Sequence, residues 1–403
     1  MTAAFDIHSA PPASVPASGV ASTSRPLFDV WPRLERDFGF LPLGAFPTPV
    51  EHVPELCGPA QVYIKRDDLS CSVYGGNKIR TLEALLGQAR REGATRVVAS
   101  GAYGSNHAVA TALSARRAGF RTGALLFPQP YSTAAAENLR VSLGEADEII
   151  DLLHWSLLPL ALRWRRARGG EAGPTFVMPP GGAVPRGCLG FVSAGLELGL
   201  QIDAGLVPRP DEIIIGLGST CSTAGLLIGL RVAARLGLGG APAGSEPPRL
   251  RAVRVTPWPL TSAGRILWLA RRASSCLFER TRDKIFALPR SELARGLEVD
   301  GSQLGAGYGH PSRAGLEAIA ALSAVPLTLD TTYSAKSAAA LLARSRRGAG
   351  TLLYWCTKSS APLPEVSAER LARAPRRMLA WLGRGRLEQP FVGSSRARPS
   401  ARV

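Results

Sequence analysis

The sequence predicts an α/β protein built on mostly parallel sheets. Short apolar runs typical of strands alternate along the chain with longer stretches of helical periodicity, which is the pattern of parallel strands joined by helical crossovers. Small polar residues and glycines cluster where a predicted strand gives way to a predicted helix, and open α/β sheets bind their ligands at such junctions. With 403 residues, 45% of them hydrophobic, the chain can fill one large core or two medium ones.

The predicted elements follow from this alternation. Strands are expected at 62–67, 95–101, 121–127, 211–218, 251–257 and 351–357. Helices are expected at 78–93, 105–119, 134–144, 222–237 and 313–324. Composition predicts a loop at 241–248, an irregular stretch at 258–285, and flexible tails at 1–25 and 389–403.

The charge balance is strongly basic. Lysine and arginine number 48 against 31 aspartate and glutamate residues, which gives a net charge of +17. Only five of the basic residues are lysines, and the arginines are spread along the chain rather than gathered in one arm. A polyanion-binding protein is therefore one hypothesis, and an arginine-rich surface without a nucleic-acid partner is the other.

The cysteines and the N-terminus bear on the compartment. The six cysteines form no C-x-x-C pair and no Cys/His spacing typical of zinc sites, so we expect no metal, reduced thiols and a cytoplasmic protein. The first residues lack the basic start and apolar core of a secretory signal. No apolar run is long enough to cross a membrane, so no membrane partner is expected.

The first candidate functional junction is the turn Gly75-Gly76-Asn77, after which Lys78 opens a predicted helix. A cation at a helix N-terminus opposes the helix dipole, so a surface lysine gains nothing there. A lysine that condenses with a carbonyl group, or that faces an anion, can be favourable at this position. A solvated first-turn lysine is the alternative interpretation.

Two further junctions indicate anion binding. Residues 101–107 offer amides and small hydroxyls suited to a carboxylate, although Ser105 or Asn106 could equally be an ordinary helix cap. Residues 216–225 combine backbone amides, hydroxyls and a helix dipole in the form of a phosphate cradle. They lack the signatures of triphosphate and dinucleotide loops, so a monophosphate suits them better. A plain turn of small residues is the alternative.

A fourth group of unusual residues lies later in the chain, at 307–311, 330–336 and 356–360. Tyr308 and Tyr333 lie among loop residues, where functional side chains are common. Either tyrosine alone decides nothing.

Taken together and in this order, these pieces resemble one enzyme family. The sequence resembles pyridoxal-phosphate enzymes of the tryptophan-synthase-β fold (fold type II), in the group of aminocyclopropane-carboxylate deaminases and D-cysteine desulfhydrases. The most specific motif is RDDL…GGNK-R-LE within 66–83, and the segment from Pro180-Gly181-Gly182 to Phe191 resembles a further stretch of the family. The likeness covers about residues 40–360.

The resemblance implies pyridoxal 5'-phosphate as the cofactor and a small amino acid as the substrate. Lys78 would hold the cofactor in a Schiff base and move protons, Asn106 would bond its ring hydroxyl, and Thr357 would face its ring nitrogen. The residues implied to hold the phosphate are Gly218, Ser219, Thr220, Cys221 and Ser222. The residues implied to contact the substrate are Ser105, Asn106, His107, Tyr308, Tyr333 and Ser334. Ser105, Tyr308 and Tyr333 would join Lys78 in catalysis.

Two positions bear on the reaction. Cyclopropane-cleaving members of the group carry Glu after the second tyrosine and Leu in the C-terminal loop, where this chain has Ser334 and Thr357. Because a carboxylate near the ring is missing, we expect α,β-elimination from a D-amino acid such as D-cysteine, giving a keto acid, ammonia and sulfide. The alternatives are aminocyclopropane-carboxylate deamination, a non-catalytic cofactor-binding descendant, and a basic nucleic-acid-binding protein.

The chain departs from the family at several glycines. Thr220 and Cys221 replace the inner glycines of the usual GSGGT loop, and their Cβ atoms would be strained if those positions need positive φ. The usual TGG of the last loop reads Thr357-Lys358-Ser359, and the usual Y-x-G-K reads Tyr333-Ser334-Ala335-Lys336.

The resemblance also implies the domain organisation and the assembly. We expect a large cofactor-binding domain from 26–81 and 181–388, a small α/β domain at 82–180 inserted into it, and a homodimer.

Overall fold

The computed structural model describes residues 24–168 and 173–384, and within these ranges the chain forms two sheets. The strands are β1 (Val50–His52), β2 (Ala60–Lys65), β3 (Arg96–Ala102), β4 (Arg121–Phe127), β5 (Glu148–Asp151), β6 (Thr175–Val177), β7 (Glu212–Leu217), β8 (Arg249–Arg254), β9 (Leu297–Asp300) and β10 (Gly350–Trp355). The larger sheet has the order β1-β2-β10-β7-β8-β9, and the smaller has the order β5-β4-β3-β6. Every pairing is parallel except β1 with β2, so the predicted α/β fold with mostly parallel sheets is confirmed.

The helices lie between and over these strands. They are α1 (Pro26–Val30), α2 (Pro32–Phe38), α3 (Asn77–Arg91), α4 (Asn106–Arg117), α5 (Thr133–Glu145), α6 (Leu158–Arg168), α7 (Leu189–Asp203), α8 (Cys221–Arg235), α9 (Ala263–Thr281), α10 (Arg290–Ala294), α11 (Arg313–Ala321), α12 (Ser334–Arg347), α13 (Ala368–Ala372) and α14 (Arg376–Gly383). Each predicted strand and helix falls on an observed element of the same type, with ends that differ by a few residues.

The larger sheet is buried on both faces. Ile213 and Ile215 of β7 pack into one core with α7 and α8, whereas Ile214 packs into a second core with α12. A strand alternates its side chains between the two faces of a sheet, so a continuous apolar run is what a doubly covered strand requires. This explains why the run at 211–218 predicts a strand without polar alternation.

Two sequence predictions are wrong. Residues 258–285 were expected to be irregular, but α9 occupies most of that range. Its N-cap Ser262 accepts a hydrogen bond from the Arg265 backbone, and its buried side chains, among them Ile266, Ala270 and Ala273, recur at helical spacing. Arginines between them mask this periodicity in the sequence.

The N-terminal tail was expected to run through Arg25, yet Arg25 is buried and ion-paired with Glu83 of α3. Residues 1–23 of that tail and the predicted tail 389–403 lie outside the described residues.

Four observations within the described ranges bear on the remaining expectations. None of the helices there is long and apolar enough to cross a membrane. No cluster of His, Cys, Asp or Glu side chains there could hold a metal ion. All six cysteines lie in these ranges and are free. The strands of the smaller sheet all fall within the predicted insertion at 82–180, whose boundaries stay predictions.

Candidate active site

Lys78 lies in the first turn of α3, where two loops meet at the carboxyl ends of β2 and β10. The backbone N–H of Asn77 donates to the Thr357 carbonyl at 3.1 Å. Gly76 precedes it with φ +88°, and a Cβ there would lie 2.5 Å from the same carbonyl oxygen. Only glycine permits both this backbone conformation and this close approach, so Gly76 sets the position of the lysine.

The charged residues around Lys78 in its motif fix the backbone rather than the site. Arg66 pairs with Asp68, and Arg80 pairs with Asp67, all of them buried. The motif therefore fixes the end of β2 against the start of α3, the turn that carries Asn77 and Lys78.

The Lys78 amine has the electrostatics of a nucleophile. Burial lowers its pKa, so the unprotonated amine is favoured over an ordinary lysine. Among the described residues its Nζ has no hydrogen-bond or ion-pair partner. The neighbouring His107 is buried, and burial together with the Lys78 charge lowers its pKa to about 3. Both ring nitrogens of His107 lack a partner in the described part of the chain.

The junction at 101–107 provides a helix cap and an oriented amide. The Ser105 hydroxyl accepts a hydrogen bond from the backbone of Ala108 at 3.2 Å, which makes Ser105 the N-cap of α4. Asn106 accepts two hydrogen bonds at its Oδ1, from the Tyr74 hydroxyl and from the Asn138 amide, each at 2.8 Å. No hydrogen bond engages the Asn106 Nδ2 within the described residues.

The loop between β7 and α8 faces the same cleft. Asn77 Nδ2 donates to the Ser222 hydroxyl at 3.0 Å, which ties this loop to the start of α3. Thr220 adopts φ +70°, as the sequence predicts for a position that favours glycine, whereas Cys221 already lies in α8. The Thr220 hydroxyl is buried, and it has no partner in the described ranges.

The two tyrosines form one hydrogen-bonded pair. Their hydroxyl oxygens lie 2.7 Å apart, and a Cβ on Gly218 would lie 2.7 Å from the Tyr333 ring. Lys336 donates to the carbonyls of Leu304 and Gly307, both at 2.8 Å, and so holds the loop that carries Tyr308. Burial raises the pKa of Tyr308 to about 12, so this hydroxyl keeps its proton at neutral pH.

Ser334 is fully buried behind Tyr333. Its hydroxyl accepts from the Asp330 backbone at 2.6 Å and donates to the Asp330 carboxylate at 3.2 Å. The carboxylate also accepts from the backbone of Thr332 and Tyr333, so it caps the turn that positions the tyrosine. The residue after Tyr333 is thus a serine, and the nearby Asp330 carboxylate is engaged within its own turn.

These contacts link the loops that carry several of the predicted residues, and comparison with known proteins gives the family of the chain. The family model for pyridoxal-phosphate dependent enzymes matches residues 41–353. The chain belongs to this family. Pyridoxal 5'-phosphate is its cofactor.

Relatives place it within the family. The chain is 35% identical over 334 residues to the nocardicin C-9' epimerase of Nocardia uniformis subsp. tsuyamanensis, covering 81% of this chain and 94% of that protein. It is 30% identical over 328 residues to a D-cysteine desulfhydrase of Salmonella schwarzengrund, covering 77% and 88%. A crystal structure of an aminocyclopropane-carboxylate (ACC) deaminase homologue superposes with a TM-score of 0.67 at 26% identity, covering 82% and 94%. The predicted membership in this group, with fold type II, is confirmed.

The polar groups of the cleft fit pyridoxal phosphate. Two of them are buried and lack a partner among the described residues: the His107 ring and the Thr220 hydroxyl. Buried polar groups are rarely left unpaired, so this pair indicates a polar ligand. The Lys78 amine and the Asn106 Nδ2 are partly exposed and also have no hydrogen-bond partner in the described part of the chain. An amine, an amide donor and a hydroxyl at a helix N-terminus match the aldehyde, ring hydroxyl and phosphate of this cofactor.

Sequence reasoning gave no role to several buried residues of this site, which are Tyr74, Asn138, Asp330 and Lys358. Tyr74 lies four residues before Lys78, and Asp330 and Lys358 lie in segments that the sequence singles out, so position in the chain was the available signal. Asn138 projects from α5 and carries no local signal at all.

Thr220 gives a prediction about stability. Replacing Thr220 by glycine should stabilise the protein by roughly 0.5–1 kcal/mol, because the relief of left-handed strain exceeds the added chain entropy. Cys221→Gly is the matched control. It should destabilise by about 1 kcal/mol, since Cys221 is helical and its thiol bonds to the Gly182 carbonyl. Thermal melting of the cofactor-free variants measures both changes in stability. A Thr220→Gly variant that is less stable than the wild type would contradict the inference that Thr220 is strained.

Proposed function

We propose that the chain is a lyase that carries out α,β-elimination on a D-amino acid such as D-cysteine. The overall reaction consumes water and releases pyruvate, ammonia and hydrogen sulfide. The observation that carries the proposal is the unpaired, low-pKa amine of Lys78 in a cleft that also holds the paired hydroxyls of Tyr308 and Tyr333. The similarity to a D-cysteine desulfhydrase along most of both chains supports it.

In this proposal each residue has a chemical task. Pyridoxal phosphate, when bound, supplies an electron sink for negative charge at the substrate Cα. Lys78 holds the cofactor and then takes the Cα proton, for which a lowered pKa suits it. Ser105 and the neutral His107 bind the substrate carboxylate as uncharged donors. The Tyr308–Tyr333 pair gives a proton to the leaving sulfur, because both hydroxyls stay protonated at neutral pH.

The remaining residues would hold the cofactor in this proposal. Thr357 would face the ring nitrogen, and Asn106 would donate to the ring hydroxyl. The phosphate would be bound by the loop at the start of α8, formed by Gly218, Ser219, Thr220, Cys221 and Ser222. Ser334 supports the substrate side of the cleft through the Tyr333 turn.

A panel of amino acids tests this function. The protein loaded with pyridoxal phosphate is incubated with D-cysteine, L-cysteine or ACC, and the keto acid and sulfide are measured. We expect pyruvate and sulfide in equal amounts from D-cysteine, and no more than traces of keto acid from ACC. If the keto acid forms faster from ACC than from D-cysteine, the protein is an ACC deaminase and this proposal is wrong.

Epimerisation at an amino-bearing carbon is a second candidate. The similarity to nocardicin C-9' epimerase, which spans 94% of that protein, favours it. An epimerase also removes a proton at a stereocentre, but it returns a proton instead of expelling a β-substituent. Incubating single enantiomers in D₂O distinguishes the two outcomes. Deuterated substrate of inverted configuration, without sulfide release, would favour the epimerase.

A further inference from the structure

A second buried lysine, Lys358, lies next to the cofactor cleft. It directly follows Thr357, and only 7% of its surface is exposed. Its Nζ donates to the Tyr74 hydroxyl at 3.3 Å and lies 5.1 Å from the centre of the Tyr74 ring. The proposed function gives this lysine no task, and burying a lysine is costly unless it is paired.

The hydrogen bonds beyond Tyr74 run in one direction. The Gly104 carbonyl can only accept, so the Asn138 group that faces it at 3.0 Å is the Nδ2 amide nitrogen. The same nitrogen donates to Asn106, so Asn106 presents Oδ1 to it. Tyr74 then donates to that Oδ1, and its own oxygen accepts from Lys358.

This order leaves the Asn106 amide nitrogen facing no protein acceptor in the described ranges. A hydrogen bond accepted at Oδ1 polarises the amide and makes its N–H groups stronger hydrogen-bond donors, because chains of hydrogen bonds reinforce one another. Lys358 lies at the start of such a chain, and Asn106 lies at its end.

The charges around Lys358 keep it a donor. Burial lowers its pKa, and the facing groups Asp330, Glu137 and Cys356 raise it. An amine donates a hydrogen bond whether or not it is protonated. Burial and the Asp330 charge raise the pKa of Tyr74, so its hydroxyl keeps the proton that it donates to Asn106.

We infer that Lys358 is a positioning residue that acts through Tyr74 to orient and polarise the Asn106 amide toward the ring hydroxyl of pyridoxal phosphate. The inference rests on the cofactor-binding role proposed for Asn106. It explains why a lysine occupies a loop position where the resemblance leads one to expect glycine.

A chemical double-mutant cycle tests the inference without using activity. Cofactor-free protein is titrated with pyridoxal phosphate and with its 3-deoxy analogue, which lacks the ring hydroxyl, and both dissociation constants are measured by equilibrium dialysis. Lys358→Met and Tyr74→Phe should each weaken binding of pyridoxal phosphate by about tenfold, the size of one lost hydrogen bond. Neither change should alter binding of the analogue by more than about twofold, and the double variant should bind no more weakly than the single ones.

Lys284→Met is the control, because Lys284 is exposed and lies far along the chain. It should bind both ligands as the wild type does. Equal weakening of both ligands, or unchanged binding of pyridoxal phosphate, would overturn the role of Lys358. A wild-type protein that binds both ligands equally would instead overturn the assignment of Asn106, and a wild type that binds neither would overturn the cofactor site as a whole. Tyr74→Phe keeps the aromatic ring and removes only the hydroxyl, so this variant tests the hydrogen-bond chain if Lys358→Met fails to fold.

Discussion

Replacing Lys78 by alanine is expected to remove the visible absorbance of bound pyridoxal phosphate and to lower turnover at least about a thousandfold. The amine is the one unpaired lysine nitrogen that the structure brings between the phosphate loop, His107 and the 357–359 loop, as far as the described residues show. Spectra of reconstituted protein and initial rates of keto acid formation measure the two effects.

The same substitution should stabilise the cofactor-free protein. Burial lowers the pKa of Lys78 in the folded state below its unfolded value, so near neutral pH the unfolded chain binds more protons. The lysine therefore costs stability at neutral pH, and this cost disappears as the pH rises above the unfolded pKa. Thermal melts of both proteins at neutral and alkaline pH measure the difference. A Lys78→Ala variant that keeps the absorbance band, or that turns over substrate at the wild-type rate, would contradict the role of this lysine.

Replacing Arg80 by methionine is expected to destabilise the protein by about 3–5 kcal/mol, because it leaves two buried carboxylates without their main partner. Arg80 donates to both oxygens of Asp67 and to both oxygens of Glu197. Lys65 also pairs with Glu197, and the Trp355 indole donates to Asp67 at 2.8 Å. The cluster thereby joins β2, α3, α7 and β10, and its Arg80 follows Lys78 by two residues in α3.

The buried cluster should make the stability of the protein fall at acid pH. Burial opposes ionisation of Glu197, but Arg80 and Lys65 outweigh it and lower the pKa to about 2. Since an unfolded Glu has a pKa of about 4.3, the stabilisation is fully present above that value and is lost as the pH falls toward 2. The free energy of unfolding of the wild type should fall as the pH is lowered over this range. The Arg80→Met variant should show a smaller fall over the same range.

The exposed pair Arg313–Glu317 supplies the control for Arg80. It is an i,i+4 pair on the surface of α11, and Arg313→Met should change the free energy of unfolding by less than about 0.5 kcal/mol. An Arg80→Met variant as stable as Arg313→Met would show that the buried cluster is not what holds these elements together.

The fold was largely predictable because its core strands are apolar on both faces. Residues such as Ile213, Ile214 and Ile215 predict a buried strand wherever their partners lie. The helix α9 was not predictable in the same way, since its arginines lie on the exposed face and obscure an apolar stripe that only tertiary contact reveals. Arg25 resembles a tail residue until Glu83 is brought beside it.

The candidate site was predictable where its residues follow strands in a recognisable order. Lys78, Asn106 and the 218–222 loop belong to local motifs at the ends of strands. Tyr74, Asn138 and Lys358 reach the cleft from three separate segments, so their hydrogen bonds to one another depend on the packing of the whole chain. Whether a departure such as Thr220 is strained likewise depends on its φ, and residue type alone does not give that angle.

The central claim is that Lys78 is the residue that binds pyridoxal phosphate covalently. Borohydride reduction of the loaded protein fixes the cofactor to its lysine, and peptide mass mapping then locates it. This structure predicts the cofactor mass on the peptide that contains Lys78, with the buried lysines Lys65, Lys336 and Lys358 unmodified. Cofactor mass on any of those three lysines, or no trapped cofactor on a protein that binds it, would contradict the account.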